Sequence, residues 1–327
     1  MNLKYKPITN NIEEVFDKFF IKNHIAVAVS GGSDSMALVI ACNNYCKKKN
    51  IKLSAITIDH KVRKNSLIEA KKLNILLQEK NIDHHIIEIN SNDIPSSNIE
   101  ANLRKIRYQL LQEFCHKNNI NYLFLGHHIG DIAENFLIRL FRGSGLDGLS
   151  PIQELIELNN IKIIRPFLNL PKKLLQEYLV SQNIIWFEDE TNQDQKFLRN
   201  KIRKFLASFE NSELIEKRIA SASNEIKFAR DIIDEINQQY QQKIINKISE
   251  NCYEVNIKEL ALIKPEIAQR ILVLLITKIS SKPYKPRKEK LLRFYQILIE
   301  NKIHKKYEFN LCVIEKTQEN SVKIYQK

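Results

Sequence analysis

Residues 24–38 read HIAVAVSGGSDSMAL. A short aliphatic run is followed by six small or polar residues (30–35, SGGSDS) and then by the apolar start of a helix-like segment. The two glycines let the backbone turn without a Cβ clash, and a helix that begins here directs its free N–H groups at an anion. A tight turn needs only one glycine and one capping residue. The stretch therefore predicts a strand, a loop that cradles a pyrophosphate group, and a helix.

Strand-like and helix-like segments alternate through the first half of the chain. Apolar runs that are typical of strands cover residues 24–29, 51–58, 82–89 and 122–125, with amphipathic helical stretches between them. This alternation predicts parallel strands joined by right-handed crossovers, and hence a three-layer α/β nucleotide-binding domain. After Pro166 the pattern becomes mainly helical. We predict a nucleotide-binding catalytic domain over 1–210 and a mainly helical domain over 211–327.

The overall composition limits the class of protein. The chain has 51 Lys and Arg against 38 Asp and Glu, a formal net charge of +13, which favours a polyanionic partner or a well-solvated surface. The first twenty residues interleave charges with apolar residues, and the longest aliphatic run, 271–276, is too short to cross a bilayer. We therefore expect a cytoplasmic protein without a membrane partner. Five scattered cysteines without a CxxC pair predict buried thiols and no zinc or iron–sulfur centre.

The segment 125–135 (LGHHIGDIAEN) carries the densest group of chemical side chains. His127, Asp131 and Glu134 are spaced by four and three residues, which places them on one face near a strand end. A histidine with two carboxylates suits either a magnesium ion or an ammonium group. A zinc site is the competing hypothesis, and the absence of cysteine and of a third histidine disfavours it.

The loop SGGSDS lacks the lysine of GxxxxGK[ST] and the third glycine of GxGxxG, and it resembles the PP-loop of the ATP pyrophosphatases. Further segments follow in order: residues 100–108 (EANLRKIRY), 125–135, 139–145 (RLFRGSG), 164–168 (IRPFL), 186–192 (WFEDETN) and 197–203 (FLRNKIR). Together they resemble the tRNA(Ile)-lysidine synthase family over residues 27–203. One position departs from that family's pattern, because Gly130 stands where an aspartate is usual.

The resemblance implies an adenine nucleotide α-hydrolase-like fold, a reaction and its cofactors. The enzymes of this family use ATP and Mg²⁺ to join L-lysine to C2 of the wobble cytidine in the CAU-anticodon isoleucine tRNA. The reaction passes through an adenylated cytidine and changes codon recognition from AUG to AUA. The second domain, 211–327, is then expected to bind tRNA. The oligomeric state stays open, and a homodimer is one candidate.

The resemblance also suggests roles for individual residues. ATP is expected to contact Ser30, Gly31, Gly32, Ser33, Asp34, Ser35, Asp59, His60 and His127. Asp34 is the expected magnesium ligand and, with Asp131 and Glu134, one of the catalytic residues. Asp131 and Glu134 are expected to bind lysine, and either could accept its proton. Contacts to tRNA or to phosphate are expected from Arg104, Arg107, Arg139, Arg142, Arg199 and Arg203.

Other classes of protein share the loop. A tRNA thiolase of the PP-loop type commonly needs paired cysteines, which this chain lacks. A small-molecule ATP pyrophosphatase, such as a GMP or asparagine synthetase, would not need the basic excess and would carry a glutaminase domain. A catalytically degenerate RNA-binding relative is the third alternative. Gly130 favours it, whereas the intact SGGSDS, Asp131 and Glu134 oppose it.

Overall fold

A computed structural model describes residues 6–59, 66–89, 99–187, 198–280, 286–318 and 320–327. The chain divides into two compact units, residues 1–226 and 227–327. The division falls within the long helix α9 (Ser212–Ile244), whereas the boundary predicted from the sequence lies just before that helix. None of the helices in the described ranges is both long and apolar enough to cross a membrane.

The first unit is the predicted α/β domain. Its helices are α1 (Lys6–Lys18), α2 (Ser33–Lys49), α3 (Ser66–Glu79), α4 (Ile99–Lys117), α5 (Ile129–Phe141), α6 (Leu146–Leu149), α7 (Lys172–Ser181), α8 (Leu198–Ala207) and the first part of α9. Its strands are β1 (Ile25–Ala28), β2 (Leu53–Asp59), β3 (Asp83–Glu88), β4 (Tyr122–Leu125), β5 (Leu155–Leu158) and β6 (Ile161–Ile164).

These strands form one sheet in the order β3-β2-β1-β4-β6-β5. The pairs β3–β2, β2–β1, β1–β4 and β4–β6 are parallel, which confirms the predicted fold class. The chain moves outward from β1 to β2 and β3 and then returns to place β4 on the other side of β1. In such sheets a ligand crevice opens where the strand order reverses. The segments that follow β1 and β4 therefore face each other across the expected crevice.

The sheet ends in an antiparallel hairpin, which was not predicted. Strand β5 pairs with β6 in register from Leu155 opposite Ile164 to Leu158 opposite Ile161. The two turn residues, Asn159 and Asn160, have φ values of 50° and 62°. Two consecutive residues with positive φ suit the twist of a two-residue hairpin, and asparagine tolerates that conformation better than most residues.

Helix α2 is central to the core of the first unit. Met36, Ala37, Leu38 and Val39 are each at most 1% exposed, so this helix is apolar on every side, as expected of a helix buried between a sheet and other helices. It contacts α1 and α7 on one side and the sheet on the other. This packing fixes the position of the N-terminus of α2, where the glycine-rich loop ends.

The second unit contains helices and a sheet. The predicted helices are present as the end of α9, α10 (Ile257–Leu262), α11 (Pro265–Ser280) and α12 (Lys288–Ile299). An antiparallel sheet with the order β7-β8-β11-β10-β9 accompanies them; its strands are β7 (Ile245–Ser249), β8 (Cys252–Asn256), β9 (Lys306–Phe309), β10 (Cys312–Gln318) and β11 (Ser321–Gln326). Phe294 and Phe309 stack at 4.5 Å within its core.

Candidate active site

The glycine-rich loop joins β1 to α2 as predicted. Gly31 has a φ of 85°, which glycine adopts without strain. The Ser30 N–H donates to Ser35 Oγ at 3.1 Å, and the Ser35 hydroxyl donates to the Gly32 carbonyl at 3.1 Å. Gly32 is the N-cap of α2 and offers no side-chain cap. The first-turn N–H groups are therefore available to an anion, with the positive end of the helix dipole behind them.

Gly126 allows the glycine-rich loop to lie close to β4. A Cβ atom at Gly126, directly after β4, would lie 2.8 Å from the Asp34 carbonyl oxygen and 3.0 Å from Ser35 Cα. Both are backbone atoms, so no side-chain rotation could relieve the contact. Gly126 thus allows the start of α2 to lie against the carboxyl end of β4. Gly126 belongs to the segment 125–135, whose spacing predicts no role for it.

Asp34 lies at the first turn of α2 beside two groups that were not predicted. Its Oδ1 accepts a hydrogen bond from the Ser33 hydroxyl at 3.0 Å. Its Oδ2 lies 3.7 Å from His128 Nε2 and 3.9 Å from Lys172 Nζ, at the start of α7. The carboxylate is thereby held next to the anion-binding loop, with a lysine ammonium on the same side.

His128 is buried, and its hydrogen bonds define its tautomer. Its Nδ1 accepts the Gly130 N–H at 3.0 Å as the N-cap of α5. A neutral imidazole that accepts at Nδ1 carries its proton on Nε2. Nε2 lies 3.7 Å from Asp34 Oδ2 and 3.8 Å from Asp131 Oδ2. The ring therefore stands between the carboxylate of the loop and the carboxylate of α5, with its N–H directed at them.

Asp131 completes the cap of α5. Its Oδ2 accepts the His128 N–H at 2.9 Å, in a capping box. Burial raises the pKa of Asp131, but the neighbouring His128 ring and this hydrogen bond lower it by more, so its pKa lies below the ordinary value. An aspartate of this kind stays ionised and is a weak proton acceptor.

Glu134, one turn further along α5, is paired with α8. Its Oε1 accepts from Arg203 Nε at 2.6 Å, and its Oε2 lies 3.5 Å from Arg199 Nε. Burial raises the pKa of Glu134, and the Asp131 charge adds to this, against the opposing effect of Arg203. The structure thus brings Arg199 and Arg203, which were predicted to contact tRNA or phosphate, to the carboxylate predicted to bind lysine.

A group of cations surrounds Tyr108 and His127. Arg165 donates from Nε to His127 Nδ1 at 3.1 Å and from Nη2 to the Tyr108 hydroxyl at 3.4 Å. The guanidiniums of Arg104 and Arg107 lie 5.3 and 5.7 Å from the Tyr108 ring centre. Burial lowers the pKa of His127 to about 3, and the nearby arginines contribute, so His127 is neutral. Converging guanidiniums suit phosphate contact.

The remaining predicted residues differ in their surroundings. Arg139 donates from Nη1 to the carbonyls of Gly148 and Ser150 at 2.6 and 3.3 Å, which holds the turn after α5. Arg142 is exposed at the C-cap of α5. Asp59 is buried at the end of β2. His60 and the segment 188–197 lie outside the described residues.

Glu216 of α9 joins this site from a distant part of the sequence. A Cβ atom at Gly130 would lie 3.3 Å from Glu216 Oε1 and 2.6 Å from Cε1 of the His128 ring. Burial raises the pKa of Glu216, and repulsion by Glu134 and Asp131 adds to this, while His128 opposes it. No motif indicated Glu216, because contact between α9 and α5 is a tertiary feature.

The donor set can be compared with the needs of a magnesium ion. Among the described residues, no group of three or more His, Cys, Asp or Glu side chains is arranged to hold a metal. In ATP-using sites, however, Mg²⁺ is usually bound by one or two carboxylates together with substrate phosphates. Asp34, beside the anion-binding loop, fits that requirement.

Comparisons with known proteins agree on the family. The sequence model of the PP-loop domain matches residues 4–209. The tRNA(Ile)-lysidine synthase of Wolbachia pipientis wMel is 34% identical over 302 residues, 92% of this chain and 70% of that protein. The one of Rickettsia akari (strain Hartford) is 33% identical over 338 residues, 99% of this chain and 74% of that protein. A solved U34-tRNA thiolase, NcsA from Methanococcus maripaludis, has a TM-score of 0.59 at 17% identity, covering 68% of this chain and 79% of that one, which shows the fold alone.

Proposed function

The chain belongs to the PP-loop tRNA(Ile)-lysidine synthase family, and we propose that it is the cytoplasmic ligase that joins L-lysine to C2 of the wobble cytidine in CAU-anticodon isoleucine tRNA, using ATP. One observation carries the proposal. His128 Nε2 lies between Asp34 of the anion-binding loop and Asp131 of α5, at 3.7 and 3.8 Å. A site for nucleotide phosphates and a site for an amine therefore meet at one point, as this reaction requires.

The first step is adenylation of the cytidine. The cytosine O2 attacks the α-phosphate, an O–P bond forms, and the bond to the β-phosphate breaks to release pyrophosphate. The N–H groups at the start of α2 and the Lys172 ammonium stabilise the negative charge that develops on the leaving pyrophosphate. When bound, Mg²⁺ would be held by Asp34 and phosphate oxygens and would neutralise part of the same charge.

The second step joins the ε-amine of lysine to C2. The amine must first lose a proton; a bond from nitrogen to C2 then forms, and AMP leaves with O2. Asp131 is the poorer proton acceptor, since its pKa is lowered, whereas that of Glu134 is raised. Asp131 therefore suits the binding of an ammonium group, and Glu134, which is held by Arg203, suits its binding as well.

Recognition of tRNA is assigned to basic side chains around this site and to the second unit. Arg104 and Arg107 converge beside Tyr108, and Arg142, the C-cap residue of α5, is exposed. The net charge of +13 supports a polyanionic partner. Arg139 is better explained as a structural residue, because two backbone carbonyls occupy its guanidinium.

The test is incorporation of labelled lysine into RNA. Purified protein is incubated with ATP, magnesium, radiolabelled lysine and an unmodified CAU-anticodon isoleucine tRNA transcript. A methionine tRNA with the same anticodon and an Asp34→Ala variant serve as controls. Label in the isoleucine tRNA alone, lost in the variant, is the expected result. Formation of AMP and pyrophosphate without lysine transfer would contradict the substrate, and tRNA binding without turnover would favour the degenerate relative.

A further inference from the structure

We propose that Glu216, on α9, belongs to the lysine site, where its carboxylate holds the ε-ammonium of the substrate and accepts its proton. The inference rests on the proposed function and deepens it. The sequence predicted two carboxylates of α5 at this site. The third comes from the part of α9 that belongs to the first unit; this helix begins 78 residues after Glu134.

The position of Glu216 depends on a glycine. Gly130 is buried in the first turn of α5, and a Cβ there would approach Glu216 Oε1 to 3.3 Å and the His128 ring to 2.6 Å. The ring cannot easily give way, because it is buried and its Nδ1 accepts the Gly130 N–H. The absence of a side chain at 130 thus leaves room for both the His128 ring and the Glu216 carboxylate.

The charges around Glu216 favour a cation. The titratable groups that act on it are His128, Glu134 and Asp131 on α5 and Glu213 on its own helix, and only His128 opposes its raised pKa. Arg203 is hydrogen-bonded to Glu134 and is not among the groups that act on Glu216. Within the part of the chain that the structure describes, Glu216 has neither a hydrogen bond nor an ion pair. A half-buried carboxylate in acidic surroundings gains most from a ligand that brings a positive charge.

A second observation indicates that the ligand supplies a hydrogen-bond donor to Glu134. Glu134 Oε2 is buried and accepts no hydrogen bond from the described residues, although Arg199 Nε lies 3.5 Å away. Buried carboxylate oxygens nearly always have a hydrogen-bond donor. An ammonium group has three N–H donors and can satisfy Glu134 Oε2 and Glu216 together.

The location favours the reacting end of lysine. Glu216 and the His128 ring lie against the same backbone position, and His128 Nε2 is 3.7 Å from Asp34 of the PP-loop. The adenylated base must lie beside that loop, so the attacking amine has to come to this side of the site. One N–H bond of the ε-ammonium breaks, and its proton moves to the Glu216 carboxylate. The freed lone pair then forms the bond to C2 as AMP departs with O2.

The experiment compares Glu216→Gln with Glu225→Gln, a change at an exposed glutamate further along the same helix. Pyrophosphate release that depends on tRNA reports adenylation, and labelled lysine in RNA reports transfer. We expect Glu216→Gln to raise the KM for lysine at least tenfold and to lower kcat for transfer, with adenylation within twofold of the unaltered protein. The acidic limb of the pH profile for transfer should also be lost, and Glu216→Asp should restore part of the activity.

Two lysine analogues test which end is held. Norleucine lacks the ε-amine, and 6-aminohexanoate keeps an amine at that end but lacks the α-amine. Glu216→Gln should weaken inhibition by 6-aminohexanoate and leave inhibition by norleucine unchanged. Transfer kinetics equal to those of Glu225→Gln, or an equal loss of adenylation and transfer, would overturn the inference alone. If the unaltered protein transfers no lysine, the proposed function fails and this inference fails with it.

Discussion

Gly126→Ala is expected to displace the PP-loop. The added Cβ would lie 2.8 Å from the Asp34 carbonyl oxygen and 2.9 Å from its carbon, whereas ordinary contacts begin at 3.4 Å. The loop would therefore have to withdraw from β4 by about 0.6 Å, since neither atom belongs to a side chain. Overpacking of this kind costs about 1–3 kcal/mol in the free energy of unfolding. A shift of that size at a reacting group also lowers the rate, by up to about a hundredfold for 1 Å.

The chain provides its own reporter and control for this prediction. Trp186 is the single tryptophan and packs against the core of the first unit, so its fluorescence follows urea unfolding there. Gly145→Ala is the matched control, because Gly145 has a φ of −81° and nothing within 4 Å of a new Cβ. Both changes reduce the entropy of the unfolded chain alike. Equal unfolding midpoints and equal ATP affinities for the two variants would refute the close packing of loop and strand.

Three further changes test other parts of the site. Arg203→Ala removes the hydrogen bond to buried Glu134 and should lower the free energy of unfolding by about 1–3 kcal/mol, less than for a fully buried pair because Arg203 is 35% exposed. Adding Glu134→Gln should recover part of this loss. Additive effects in the double-mutant cycle would contradict the pairing. Burial lowers the pKa of His84 to about 4, so the unfolded chain takes up a proton first and the free energy of unfolding falls as the pH drops from about 6.5 towards 4. In urea unfolding, His84→Gln should make the free energy of unfolding depend less on pH, whereas His116→Gln, at an exposed position, should not. Arg142→Ala should raise the KM for tRNA and weaken its salt dependence, with little change in the free energy of unfolding. Arg139→Ala should instead lower the free energy of unfolding by about 1–3 kcal/mol. The reverse pattern would make Arg139 the tRNA contact and Arg142 the structural residue.

The sequence predicted those features of the fold that are local. The strand, the loop and helix α2 follow from contiguous residues, and the alternation around them is enough to predict a parallel sheet. The β5–β6 hairpin was missed, although Asn159-Asn160 between two apolar strands is a turn signal. The sheet of the second unit was also missed. Its strands are short and carry many Lys and Glu, as in Lys306–Phe309, so their period-two pattern does not stand out within the predicted mainly helical domain.

The active site shows the same limit more sharply. The spacing of His127, Asp131 and Glu134 placed them near a strand end; Asp131 and Glu134 lie in the first turns of α5, and His127 directly precedes its N-cap. It could not reveal that Arg203 would pair with Glu134 across 69 residues, or that Lys172 would approach Asp34. Periodicity defines which side of a helix a residue occupies, whereas its partner depends on how helices pack. The residues that complete this site therefore came only from tertiary structure.

Four carboxylates with different surroundings lie in the candidate site. Asp131 is fixed by the cap of α5, and Glu134 is fixed on one oxygen by Arg203. Asp34 Oδ2 lies 3.7 Å from His128 Nε2, whereas Glu216 Oε1 lies against Gly130, as the same ring does. An anionic nucleotide with its metal and a cationic amine need carboxylates in different surroundings, and the four carboxylates of this site differ in that way, as the proposed function requires. His128 is central to this arrangement, because its Nδ1 accepts the Gly130 N–H and its Nε2 lies near both Asp34 and Asp131.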